Sequence, residues 1–421
     1  MKSQAFKFYY QCITCGKDYS PAETQYLCPL CSAKNKPGSP PAGILKVLYN
    51  YTETGANKPD FIRLKQNRFL DLLPLENISS LPNLRVGNTP LYSVHKWDGH
   101  TLPFALHLKD DSQNPTFSFK DRASAVVSAY GREQGFKTFV AASTGNAGSS
   151  MAGICAAQGQ RAIIMVPENA PAAKLAQIIA YGAVVIPVKG SYDDAFDLSV
   201  AATGAYGWYN RNTAFNPLTV EGKKTAAFEL FENLNFTVPE RIFVSTGDGV
   251  ILSGIYKGYE DLLKLGLISH MPVMVAVQSE GSDNLVRNLG RSRFVIKKSN
   301  TIADSISVDI PRNFFMAQQF ISKYKGECIS VSDLQIMQAA KTLAKETGIF
   351  TEPASAAALA GFLLYHHSGQ LQEGSDNVVL LTGSGLKDIK PFIAGSACPV
   401  AVPPSIKGLR EIIEKFHPEI F

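Results

Sequence analysis

Between about residue 105 and residue 381, short apolar runs rich in β-branched side chains alternate with longer segments of helical periodicity. No other feature constrains the fold as much. Strands are expected at Ala105–Lys109, Thr138–Ala142, Arg161–Val166, Ala183–Val188, Arg241–Ser245, Pro272–Gln278 and Asn377–Leu381. Helices are expected at Phe119–Gln134, Asn146–Gln158, Ala172–Ala180, Val250–Lys264, Val331–Lys345 and Ala354–His366. Near-continuous apolar strands suit burial on both faces, and strand–helix alternation supplies the helices that cover them. The expected class is therefore α/β, with parallel-type sheets and helices on both faces.

The flanks of this region read differently. Cys12-x-x-Cys15 and Cys28-x-x-Cys31 stand twelve residues apart. Two such pairs can give four thiolates to one tetrahedral zinc and close all its positions, which makes a structural site. An iron site of rubredoxin type, or plain reduced thiols, would use the same pattern. Cys155, Cys328 and Cys398 stand alone and read as small buried hydrophobes. Lys34–Pro41 reads as a linker, and the stretch on to Leu84 as irregular. At the other end a Pro-rich link leads to an amphipathic helix with Leu409, Ile412, Ile413 and Phe416 on one face, expected to dock.

A net charge of +5 over 421 residues, without a dense Lys/Arg block, gives no nucleic-acid or membrane footprint. No apolar run is long enough to span a bilayer, and the first residues lack the apolar core of a secretory leader. Clustered cysteines point to a reducing compartment, so a cytoplasmic location is expected.

The chemistry centres on Asn114-Pro115-Thr116-Phe117-Ser118-Phe119-Lys120-Asp121-Arg122. A lysine just inside a helix start is a candidate Schiff-base nucleophile, provided burial or a nearby cation lowers its pKa. Three further segments follow in order: Ser143-Thr144-Gly145-Asn146-Ala147-Gly148, Gly247-Asp248-Gly249, and Leu381-Thr382-Gly383-Ser384-Gly385-Leu386-Lys387-Asp388. Gly247–Ile251 follows a strand and opens a helix, where backbone N–H groups and the helix dipole favour a phosphate. Ser143–Gly148 also lies at a helix start, a natural carboxylate site. None of the seven histidines falls in a motif.

Together with Gly87-Asn88-Thr89-Pro90-Leu91, these segments resemble the tryptophan-synthase-β-like, fold type II pyridoxal-phosphate enzymes, and among them the threonine synthases. The resemblance runs from about Gly87 to about Asp388. It implies two open parallel-type α/β domains behind a zinc-ribbon-like head. The implied divisions are 1–40 for the head and linker, 41–118 with 215–398 for a large cofactor-binding domain, 119–214 for a small mobile domain, and 399–421 for a helical tail. It implies pyridoxal 5′-phosphate as cofactor, held by Lys120, Asn146, Gly247, Asp248, Gly249, Val250, Ile251 and Thr382. Lys120 becomes the catalytic base, Asn146 meets the cofactor's 3′-oxygen, and the Thr382 hydroxyl meets its pyridine nitrogen. Ser143, Thr144, Gly145, Asn146 and Ala147 take the substrate's α-carboxylate, and Glu352-Pro353-Ala354-Ser355-Ala356 forms pocket wall. The Asp248 carboxylate is expected to turn away from the phosphate. Cys12, Cys15, Cys28 and Cys31 fit the cysteine-bearing extension that some threonine synthases carry, with structural Zn2+. A homodimer acting on a small amino-acid substrate is implied.

The implied reaction is the conversion of O-phosphohomoserine and water to threonine and phosphate. Two departures bear on it. The family pattern N-S-x-N-P-x-R-x-E-G-Q-K-T becomes Thr213-Ala214-Phe215-Asn216-Pro217-Leu218-Thr219-Val220-Glu221-Gly222-Lys223-Lys224-Thr225, so Thr219 stands where an arginine would recognise substrate phosphate. Lys223 or Lys224 compensates only if the helix turns one of them inward. Phe117 replaces a glycine and is expected to narrow the space before Lys120. A dehydratase, ammonia-lyase or β-replacement enzyme for another amino acid therefore stays open. So does a non-catalytic cofactor-binding paralogue, although such a protein has no need of Lys120.

Overall fold

The computed structural model describes residues 6–51, 61–394, 401–416 and 420. It divides into two compact units, one ending at Asp388 and one beginning at Ile389. The second holds the helix Ile406–Phe416. The expected boundary at residue 398 and Cys398 itself lie outside the described residues. No helix among the described residues is long and apolar enough to cross a membrane.

Three sheets form among the described residues of the first unit. Strands β1 (Phe8–Cys12), β2 (Asp18–Tyr19) and β3 (Leu45–Tyr49) make an antiparallel sheet in the order β2-β1-β3. The segment after the linker, expected to be irregular, thus supplies β3 and also a short helix, Phe61–Gln66. The run Ile44–Tyr49, apolar except for Lys46, is the signal that marks β3. Strands β4 (Leu91–Trp97) and β5 (His100–Asp110) then form an antiparallel pair.

Next come β6 (Thr138–Ala142), β7 (Arg161–Pro167), β8 (Val184–Val188) and β9 (Tyr209–Asn210), a parallel sheet in the order β8-β7-β6-β9. Finally β10 (Arg241–Ser245), β11 (Val273–Ser279), β12 (Glu327–Val331) and β13 (Asp376–Leu381) join the β4–β5 pair. That sheet runs β12-β11-β10-β13-β5-β4 and is parallel except at its β4 edge. The smaller sheet is therefore inserted, in sequence, between two halves of the larger one.

All six helices expected between residues 119 and 366 are present, and one of them starts two residues late. Val331 closes β12, and the helix begins at Asp333. Ser332 caps it, accepting from the Gln335 N–H while the Gln335 side chain accepts from Ser332 N–H. This reciprocal pattern is readable as Ser-x-x-Gln and fixes the start two residues later than periodicity alone suggests. Helices Tyr192–Tyr206 and Phe314–Tyr324 were not anticipated, and Leu218–Asn233, assumed around Lys223 and Lys224, had been given no bounds. Cys155 is buried, as expected, whereas Cys328 is only half-buried on β12.

Candidate active site

The site forms where three short segments lie side by side at the ends of the larger sheet. Phe119 N–H donates to the Thr382 carbonyl (2.8 Å), and Ser384 N–H to that of Phe117 (3.1 Å). Glu352 N–H donates to the Gly383 carbonyl (3.1 Å). Lys120, the first residue of the Lys120–Glu133 helix, is thereby fixed beside Thr382 and Glu352. Phe117 accomplishes the turn with φ of +68°, a conformation that glycine adopts more easily. The residue is 51% exposed and does not line the Lys120 cavity, so it does not narrow the space before Lys120 as expected.

Two residues on, Arg122 anchors the helix from behind. It is fully buried and forks onto Asp111 and Glu229 (2.6–2.9 Å). Glu229 also takes Lys109 Nζ at 2.8 Å and the Asn88 N–H at 2.7 Å. This cluster explains the glycine of the Gly87–Leu91 segment. Gly87 has φ of +77°, and a Cβ there would lie 2.5 Å from Glu229 Oε1.

Lys120 lines a cavity of about 440 Å³, with walls that include Ser143–Ala147, Tyr192, Arg211, Lys223 and Gly247–Ile251. Its amine has no hydrogen-bond partner among the described residues. Burial pulls its pKa below the usual lysine value; Arg211 adds to that effect, and Glu352 and Asp248 oppose it. A lysine amine held down this way is a better nucleophile and base near neutral pH.

The glycine turn is built as its sequence suggested. Gly249 (φ +84°) is the N-cap of the Val250–Lys264 helix, so the first N–H groups of that helix open toward the cavity. A Cβ on Gly247 would come within 2.9 Å of Ile306 Cα. The Asp248 carboxylate is turned to the 310–312 loop, where Oδ1 accepts from Arg312 N–H (2.9 Å). Gly145 likewise caps the Asn146–Gln158 helix. Asn146 Nδ2 donates to both Glu352 carboxylate oxygens (2.9 and 3.1 Å). Burial holds the Glu352 carboxyl above the usual range, against Lys120 and Asn146. The Thr382 N–H is fixed by Ser355 Oγ (2.8 Å), and its hydroxyl has no protein partner among the described residues.

These residues fit pyridoxal phosphate on the structure's own terms. A free amine of lowered pKa can hold an aldehyde, a glycine turn at a helix start can hold a phosphate, and an unengaged hydroxyl on a fixed backbone can meet a ring nitrogen.

The two lysines left open by sequence are now distinguished. Lys223 faces the cavity. Lys224 points away, to Glu221 (2.5 Å) and Asp261 (2.8 Å). Thr219 is buried, and its hydroxyl donates to the Asn216 carbonyl (2.8 Å). Sequence reasoning missed Arg211 and the loop from Lys298 to Arg312, and named Glu352 only as pocket wall. Glu352 stood inside a motif that was noticed, whereas Arg211 carries no motif beyond its place after β9.

At the N-terminus the four cysteine sulfurs of Cys12, Cys15, Cys28 and Cys31 all lie within 4.8 Å of one another. Sγ of Cys15 and Cys28 are 3.9 Å apart, and a tetrahedron with zinc–sulfur arms of about 2.3 Å has edges of about 3.8 Å.

Comparison with known proteins defines the class first. Residues 83–383 match the family model described as pyridoxal-phosphate dependent enzyme. Two solved structures share the fold: a threonine deaminase isoform from Solanum lycopersicum (TM-score 0.64, 19% identity, 85% of this chain and 89% of that one) and maize serine racemase (0.63, 21%, 86% and 99%). Among curated proteins, the threonine synthase of Methanocaldococcus jannaschii is 34% identical over 96% of this chain and 99% of its own length. That of Methanosarcina acetivorans is 32% identical over 96% and 98%. The chain belongs to the fold type II pyridoxal-phosphate dependent enzymes, in the family that holds the threonine synthases.

Proposed function

We propose that the protein is a threonine synthase, a carbon–oxygen lyase that converts O-phosphohomoserine and water to threonine and phosphate. The observation that carries this reading is the match to curated threonine synthases along nearly the whole of both chains, head included. Under it, Lys120, the N–H groups of Gly247–Ile251, Asn146 and Thr382 hold pyridoxal phosphate. Bound there, the cofactor supplies an electron sink for the substrate's α-carbon. The rest falls to this chain's own residues. The N–H groups of Ser143–Ala147, at the start of a helix, bind and orient the α-carboxylate. Lys120 Nζ takes the α-proton and moves protons between substrate carbons, a role its lowered pKa supports. Thr382 gives the ring nitrogen a hydroxyl rather than a carboxylate, which leaves it unprotonated. Glu352, fixed by Asn146, walls the site.

We also read the cysteine cluster as a structural zinc site, supported by its four sulfurs and their spacing. Zinc thiolates suit a reducing compartment, in keeping with a cytoplasmic enzyme. The inserted segment 119–214 is read as the small mobile domain, since it carries the whole of the β6–β9 sheet.

The test is a substrate scan on purified holoenzyme. Phosphate release from O-phosphohomoserine, with threonine accumulating, is expected, and Lys120→Ala should abolish it. Silence there, with 2-oxo acid formed from threonine or serine, would replace this reading with an ammonia-lyase.

A further inference from the structure

Besides Lys120, two cations that line the cavity have no carboxylate partner among the described residues. Arg211 is 1% exposed; Nε donates to Ser124 Oγ (3.2 Å) and Nη1 to Thr213 Oγ1 (3.0 Å). Its Nη2 is buried without any hydrogen-bond partner among the described residues. Lys223 is fully buried and donates to the Thr219 carbonyl (3.2 Å). Both line the cavity beside Lys120. Among the described residues no carboxylate stands in ion-pair contact with either. The nearby acids are engaged elsewhere: Asp121 accepts from Thr116 N–H (2.7 Å) and Asp248 from Arg312 N–H (2.9 Å).

The other fully buried cations behave differently. Arg122, Lys109, Lys224 and Lys257 each touch a carboxylate. A buried charge left unpaired is costly, and the protein answers by shifting the group toward neutrality. Burial pulls Arg211 down to about 10, and burial together with Arg211 and Lys120 pulls Lys223 well below the lysine range. Such a pair is arranged for an anion that arrives with a ligand.

We propose that Arg211 and Lys223 form the binding site for the phosphate group of the substrate, the group that departs in the reaction. This rests on the threonine synthase reading. The other two anions already have places, the cofactor's phosphate at Gly247–Ile251 and the α-carboxylate at Ser143–Ala147. Thr219 cannot serve, because its hydroxyl is neutral and donates into its own helix turn. Lys223 stands one turn further along that same helix, and Arg211 faces the cavity from the end of β9. The guanidinium and ammonium together neutralise the dianion as the carbon–oxygen bond breaks and its electron pair leaves on the phosphate oxygen.

The experiment uses holoenzyme of the wild type, Arg211→Gln, Arg211→Lys and Lys223→Met. Steady-state phosphate release gives KM for O-phosphohomoserine, inorganic phosphate serves as inhibitor, and absorbance reports cofactor content. Arg211→Gln and Lys223→Met should each raise KM roughly 10- to 100-fold, as loss of a charged hydrogen bond does. Inhibition by phosphate should weaken by a similar factor, cofactor content should hold, and Arg211→Lys should recover part of the loss. Thermal midpoints of the cofactor-free variants should be no lower than wild type, because each change removes an unpaired buried charge. A structural role would lower them. Unchanged KM and phosphate inhibition in a wild-type-active background would overturn the proposal. So would loss of cofactor affinity alone, which would assign the pair to the cofactor's phosphate. If wild type releases no phosphate, the functional reading fails. Calorimetric titration of inorganic phosphate then still decides this site: binding lost in Arg211→Gln supports it, and no binding by wild type overturns it.

Discussion

Replacing Arg122 with Met tests the buried cluster that holds the Lys120 helix in place. The guanidinium forks onto both Asp111 and Glu229. Methionine keeps an unbranched stem but no charge, so two carboxylates lose their partner at once. Removing one member of a buried ion pair costs about 3–5 kcal/mol. Lys109 stays 2.8 Å from Glu229 and softens the loss on that side, so about 3–4 kcal/mol is expected. With about 2.1 cal/mol/K of unfolding entropy per residue over 421 residues, the thermal midpoint of a cooperative transition falls by about 4 °C.

The pH dependence gives a sharper check. Burial pushes the Glu229 carboxyl up, but Arg122 and Lys109 carry it down to about 2, against about 4.3 unfolded. A depressed carboxyl pKa contributes stability that is present above about pH 4.3 and lost as pH falls through 2, worth about 3 kcal/mol here. Without Arg122 burial dominates, the folded-state pKa rises, and acidification relieves the variant by protonating the carboxyl. Urea midpoints of both proteins, followed by near-UV circular dichroism with saturating cofactor at pH 7 and pH 4.5, measure the gap. It should be smaller at pH 4.5. Equal gaps at the two pH values, or a loss under about 1 kcal/mol at pH 7, would refute the assignment of an ion cluster here.

Three further outcomes are expected. Elemental analysis should find zinc bound to the purified protein, and Cys28→Ser should strip it and destabilise the N-terminal sheet; metal-free wild type that keeps its fold would count against a zinc site. Ser355→Ala removes the acceptor of the buried Thr382 N–H and should cost about 1–3 kcal/mol, with a shifted cofactor absorbance band that an effect remote from the ring would not produce. Lys120 and Lys223 have folded pKa values below the unfolded lysine value, so the unfolded chain binds more protons between those values and about 10.4. Cofactor-free stability should therefore rise with pH across that window, measured by urea midpoints at pH 7, 8 and 9, and a flat profile would contradict the buried, unpaired lysines.

The sheets were legible because their strands are continuous apolar runs, and parallel pairing demands such runs. β6, β10 and β13 are examples, each buried along nearly its whole length. What escaped notice or was left without bounds had, β3 apart, weaker periodicity. The Leu218–Asn233 helix is buried on almost every side, charged residues included, so it lacks a polar face to reveal its turn. The two-residue β9 is defined by pairing with the distant β6, which no local pattern records. In the site, glycines and the lysine were readable because backbone geometry forces them into fixed spacing. Arg211 was not, since a side chain that reaches a cavity from a strand end needs no neighbours of a particular kind.

Thr219 weakened the phosphohomoserine reading because it removes the family's arginine from that helix position, leaving Lys223 or Lys224 to compensate. Charge in a cavity is a property of the enclosing walls, not of one position on one helix. Here the Leu218–Asn233 helix turns Lys223 inward and sends Lys224 to Asp261, while β9 brings Arg211 in from the opposite sheet. Burial also weakens the opposing acids, since both Asp248 and Glu352 are held above the ordinary carboxylate range. Asp193, Asp304 and Asp309 also line the cavity but pair with Arg312, Lys174 and Lys298, so Arg211 and Lys223 are left without a carboxylate partner among the described residues. A cofactor and a substrate that each carry a phosphate supply what is missing. The same imbalance that costs stability in the ligand-free protein becomes affinity for anions once they bind.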